Sequence, residues 1–118
     1  MDIETLYHVC RDRPGVTEET PFGEDVLVFK VMGKMFALMN VEEHPLRVNL
    51  KCDPARALEL RATYAAIRPG YHMNKRHWNT VVLDGSLPDA LVKDLVDHSY
   101  ELVVRGLSRR DREGLGAL

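Results

Sequence analysis

A chain of 118 residues with 45% hydrophobic and 29% charged side chains has the size and composition of one domain with its own core. Its net charge of −2 argues against a strongly basic nucleic-acid binder, and no apolar run approaches the roughly 20 residues a membrane helix needs. The acidic start, Met1 to Leu6, is unlike a secretory signal, and Cys10 and Cys52 lack a Cys-x-x-Cys spacing, so two reduced thiols in a cytoplasmic protein are expected.

Ile3, Leu6, Tyr7 and Cys10 recur at the spacing of a one-faced helix, which Pro14-Gly15 should end. A polar loop is expected next, through Pro21 to Asp25. Val26 to Val31 and Met35 to Met39 read as two strands joined by a short turn at Met32-Gly33-Lys34. After a second turn from Asn40 to Pro45, Leu46, Val48 and Leu50 alternate with Arg47, Asn49 and Lys51. That is a half-buried strand with a cationic outer face. Asp53-Pro54 supplies an N-cap and a first-turn proline for a second helix, with Leu58, Ala62 and Ala65 as its expected buried stripe. The segment from Arg68 to Trp78 resists assignment, because Pro69-Gly70 forbids a regular helix there. Thr80 to Leu83 reads as a strand, Asp84-Gly85 as a turn, and Pro88 as the start of a third helix ending at Gly106. The broad apolar face of that helix comprises Leu91, Val92, Leu95, Val96, Ser99, Leu102 and Val103. Residues 1–107 make one expected domain, and residues 108–118 an expected polar tail that frays.

The order is α-β-β-β-α-(β)-β-α. Hairpin-joined strands with segregated helices mean an α+β fold, an antiparallel sheet with helices packed on one face. The helices should cover the face of Leu46, Val48 and Leu50. The face of Arg47, Asn49 and Lys51 should be open to solvent.

Charge is unevenly distributed. Residues 1–45 carry four bases against nine acids, residues 46–83 seven against two, and residues 84–118 five against seven. A basic middle points to an anionic partner, provided that folding does not interleave the segments and cancel the field. The densest part of that middle, Arg68 to Trp78, contains no acid. Arg68 offers a bidentate fork to a phosphate, and Lys75 and Arg76 can reach phosphates of one backbone. Asn74 can bond a base edge or phosphate oxygen, while Tyr71, His72 and His77 add hydrogen bonds or a stacking ring. With Arg47 and Lys51 from the strand, these make the candidate nucleic-acid contacts. The competing reading has the same side chains locking an irregular segment: Asn74 as a turn former, Arg68 in an ion pair, the histidines bonded to backbone. Trp78, the only tryptophan, is read as a core anchor rather than a stacking platform.

Other chemistry finds little support. His72 and His77 lack metal-ligand spacing, and Glu18, Glu19, Glu24 and Asp25 read as a solvated loop, so no metal is expected. No nucleophile, Walker or dinucleotide motif is present, so neither an enzyme nor a cofactor is expected. Met32, Met35, Met39 and Met73 read as core filler.

Three blocks then carry a resemblance: Val48-Asn-Leu-Lys51, Arg68-Pro-Gly-Tyr-His-Met-Asn-Lys-Arg-His-Trp-Asn-Thr-Val81 and Leu83-Asp-Gly-Ser-Leu-Pro88. They resemble the MmcQ/YjbR family from the first helix to about Leu107. The resemblance implies a CyaY-like, frataxin-related α+β sandwich, also described as a double-wing fold, and a DNA-binding role inferred mainly from fold analogy. Double-stranded DNA is thus the expected partner. The alternatives are an acidic protein bound by a protein-interaction module, or a small molecule or iron bound by a frataxin-like protein.

Overall fold

The computed structural model describes residues 1–116. It is an α+β fold built on one six-stranded antiparallel sheet and four helices. Helix α1 (Ile3–Arg11) is N-capped by Asp2, whose carboxylate accepts the Thr5 N–H at 2.8 Å. It buries Leu6 and Cys10, as its spacing predicts, and leaves Ile3 exposed. Burial pushes the Cys10 thiol up to about 12, so it behaves as a small apolar group. The expected polar loop instead contains strand β1 (Val16–Glu19). Its one buried side chain, Val16, gives the sequence too little alternation to reveal it.

Strands β2 (Val26–Val31) and β3 (Lys34–Asn40) form the expected hairpin, with Met32 and Gly33 both at positive φ, +49° and +79°. That handedness matches the twist of the flanking strands. Strand β4 (Leu46–Lys51) buries Val48 and Leu50, with Leu46 half-buried. Helix α2 (Pro54–Thr63) starts at the expected cap, where Asp53 accepts the Arg56 N–H. The buried stripe is a correction. Ala57 and Leu60 face inward, while Leu58, Ala62 and Ala65 are exposed. Both sets share the helical period, so only the docking of α2 beside the next strand decides between them.

Strands β5 (Ile67–Pro69) and β6 (Trp78–Leu83) complete the sheet in the order β1-β2-β3-β4-β6-β5. Helix α3 (Asp89–Arg105) crosses β2, β3 and β4 and buries Val92, Leu95, Val96, Ser99 and Val103 against them. Ser99 joins the layers. Its hydroxyl donates to the Phe36 carbonyl at 2.6 Å and accepts the Lys51 N–H at 2.8 Å. It thereby satisfies two backbone groups beside a bulge between Phe29 and Lys30. Neighbouring His98 accepts the Asp53 N–H on Nε2, and burial first, then the Arg56 charge, holds its pKa below the usual histidine value. Instead of fraying, the expected tail forms helix α4 (Arg109–Gly116), pinned by buried Leu107 and Leu115. No helix among the described residues is long and apolar enough to cross a membrane.

Candidate functional site

Directly paired residues of antiparallel strands point to the same side of a sheet. The register therefore sorts the side chains into two faces. Phe29, Ala37, Leu50 and Asn79 form one row on the side of the sheet where α3 packs on β2, β3 and β4. On the opposite side, Arg68, Thr80, Asn49, Leu38 and Val28 form a row across five strands. Arg47 lies two residues along β4 from Asn49 on that same side, and Lys51 two residues the other way.

This second face is not bare. Gly70 to His77 folds back over it and buries Trp78, which is 8% exposed and lies outside the main hydrophobic cluster under the helices. The return depends on Gly70. A Cβ there would stand 2.8 Å from the Trp78 Cβ and 2.9 Å from its carbonyl oxygen, closer than real contacts allow. Several side chains hold the loop. The Asn74 side-chain oxygen accepts the Arg76 and His77 N–H groups at 2.9 and 3.3 Å. Lys75 Nζ donates to the Gly70 carbonyl at 3.1 Å. Arg61 reaches in from α2, donating to Asn79 Oδ1 at 2.7 Å, to the Trp78 carbonyl at 3.3 Å and to the Lys75 carbonyl. The Tyr71 backbone is stitched to the sheet. Its N–H donates to Thr80 Oγ1 at 2.9 Å, Thr80 donates to Asn49 Oδ1 at 2.5 Å, and Asn49 Nδ2 returns a bond to the Tyr71 carbonyl at 3.1 Å.

Between the loop and the sheet lies a cavity of about 350 Å³. Val26, Met35, Leu38 and Met73 give it apolar walls, and Asn40, Glu43 and Arg47 a polar margin. Phe22 and Tyr71 also line it, 64% and 59% exposed respectively. His72 adopts φ +58°, a strained choice for a non-glycine residue, and packs its ring 4.0 Å from that of Tyr71. Met35 and Met73 thus line the cavity rather than fill the core, whereas Met39 belongs to the core as expected while also bordering the cavity.

The eight sequence-derived contacts divide into groups. Arg47 and His72 line the cavity, and Arg47 stands 4.0 Å from Glu43. Arg68 lies on the same face in the outermost strand, its Nε 3.4 Å from the Ala65 carbonyl. Its charge is one minor contributor to the lowered pKa of Asp84, which Ser86 hydrogen bonds chiefly cause. Lys51 shares the face at the Trp78 end. Asn74 and Lys75 work partly inside the loop, Arg76 is exposed, and His77 is half-buried with its N–H and carbonyl engaged by backbone. The locking interactions of Arg61, and the aromatic and polar lining at Phe22, Asn40 and Glu43, escape the sequence reading. Only Asn49 left a usable signal, in its alternation with Val48 and Leu50. Among the described residues, no three His, Cys, Asp or Glu side chains gather into a possible metal site.

The YjbR family model matches residues 11–102. The chain belongs to the YjbR family. Two relatives from Escherichia coli are similar over nearly their full length. The uncharacterized protein YbdF of strain O157:H7 is 40% identical over 117 residues, and the uncharacterized protein YjbR of strain K12 is 37% identical over 113. In both comparisons 96% of each chain is covered. A crystal structure of a Deinococcus radiodurans protein with a DUF419 domain superposes with a TM-score of 0.91. It is 42% identical and covers 97% of this chain and 87% of its own. A Pseudomonas syringae protein reaches a TM-score of 0.74 at 26% identity, covering 86% and 98%. The YjbR match ends before α4, so the helix pinned by Leu115 lies outside the matched segment.

Proposed function

We propose that this protein binds nucleic acid, DNA in the first instance, through the face of the sheet opposite α3 and the loop that folds over it. The observation that carries the reading is that one side of the sheet collects Arg47, Lys51 and Arg68, together with a loop bearing Lys75 and Arg76. In this reading the five cations contact phosphates. His72, Asn74 and His77 add hydrogen bonds from the loop. Lys75 spends one of its three donors on Gly70 and keeps the rest for a ligand. Phosphate contacts of this kind give affinity without base preference. The role is binding rather than catalysis, and the two buried thiols fit a reducing cytoplasm. A second reading, a small-molecule binder, is favoured by the apolar walls of the cavity.

Binding to unrelated duplexes, followed by fluorescence anisotropy across a salt series, tests the proposal. Five phosphate contacts give a log–log slope of about −4.5 on duplex DNA. Replacing Arg68, Lys75 and Arg76 together by alanine should weaken every sequence alike and flatten the slope by about 3. No binding by the wild type at low salt, to duplex or to single strand, would refute nucleic-acid binding and favour a small ligand or an acidic protein partner.

A further inference from the structure

The cavity does more than separate the loop from the sheet. Its polar floor is already satisfied, because Thr80 and Asn49 bond to each other and to the Tyr71 backbone. What it offers a ligand is an apolar slot against Leu38 and Met73 with hydrogen-bonding groups along one margin. That margin is mixed. Glu43 only accepts, the Arg47 guanidinium only donates, and Asn40 carries an amide that does both. A fatty acyl chain fits the apolar part, but its carboxylate would meet Glu43. A flat heterocycle with donors and acceptors on one edge matches both parts. At about 350 Å³ the space lies at the small end of ligand pockets.

The surroundings narrow the class. Phe22 and Tyr71 expose most of their rings to water beside the cavity, and such rings are the usual platforms for stacked bases. His72 accepts a left-handed backbone and holds its ring 4.0 Å from that of Tyr71 at a tilt of 52°, so the two rings stand together at the rim of the cavity. Arg47 at the margin and Arg68 across the same face flank the slot with positive charge, as a strand entering it requires. A paired base is held in its stack and cannot enter such a slot.

We propose that the cavity receives one unpaired nucleobase of a bound strand, its ring between the apolar walls and its edge toward Asn40, Glu43 and Arg47. This inference rests on the nucleic-acid reading above and refines it. The protein then prefers single-stranded or locally opened nucleic acid to intact duplex.

The test compares three probes with the full chain: a single strand carrying one 2-aminopurine in an otherwise uniform abasic background, the same strand abasic at that position as well, and a fully paired duplex of the same length. The 2-aminopurine strand should bind about 5- to 150-fold more tightly than either control, the span expected from stacking one base, with a change in its fluorescence. Leu38→Trp, which fills the slot and leaves every cation in place, should abolish that advantage without changing the salt slope. Tyr71→Ala, an exposed position, should weaken single-strand binding while Tyr71→Phe preserves it. Circular dichroism melts confirm that the variants fold. Equal affinity for all three probes, or an unaltered preference in Leu38→Trp, overturns the base-receiving slot and leaves nucleic-acid binding standing. Absence of binding to every probe removes the nucleic-acid reading itself, and the slot with it.

Discussion

Trp78→Ala is expected to lower folding stability by about 3–5 kcal/mol, the range for truncating a buried tryptophan. The ring is 8% exposed, yet it lies on the loop side of the sheet rather than in the cluster under α1 and α3. Its removal should therefore also release the Gly70–His77 return, which packs directly on it at Gly70. Because Trp78 is the only tryptophan, denaturation should be followed by far-UV circular dichroism rather than intrinsic fluorescence. Wild-type stability combined with lost nucleic-acid affinity would make the ring a ligand contact instead of an anchor.

Arg61→Met should cost about 2–3 kcal/mol. Methionine keeps the apolar stem but supplies none of the donors that reach Asn79 Oδ1 and the carbonyls of Trp78 and Lys75. Hydrogen bonds from a charged group contribute about 1.5–3 kcal/mol each, and the half-exposed guanidinium places the combined loss well below their sum. Asn79 is 2% exposed, and its Nδ2 already lacks a partner, so losing the bond to Oδ1 strands the whole amide. Hydrogen exchange should show the amides from Tyr71 to His77 opening faster than in the wild type, with the α3 amides shifted only by the global loss of stability. Uniformly unchanged loop exchange would mean that Trp78 and Asn74 suffice to hold the segment.

Much of the scaffold was legible because it is written in local periods. The two-residue alternation of β4 put Arg47, Asn49 and Lys51 on one side and Val48 and Leu50 on the other. The wide apolar face of α3 announced its burial down to Ser99. Where two faces were equally apolar, as in α2, the period could not choose between Leu58 and Leu60. Strand β1 and helix α4 were missed because each is polar and held by one or two apolar side chains, Val16 in the first, Leu107 and Leu115 around the second. The site was less legible still. Its walls come from β2, β3, β4, β6 and the loop, and nothing local in the sequence reports that Leu38 and Met73 will face each other. The cationic block announced the loop but not its division of labour. Asn74 and Lys75 spend groups on the return itself, and Arg61, twelve residues before Met73, does much of the holding.

The central claim is that ligand meets the protein on the loop-covered face of the sheet. Amide chemical-shift mapping during titration with a single-stranded oligonucleotide tests it most directly. The largest changes should fall on Asn40, Arg47, Asn49, Thr80 and Tyr71 to Arg76, with the outer surfaces of α1 and α3 quiet. Changes centred on those helices instead, with the loop residues unmoved, would contradict it.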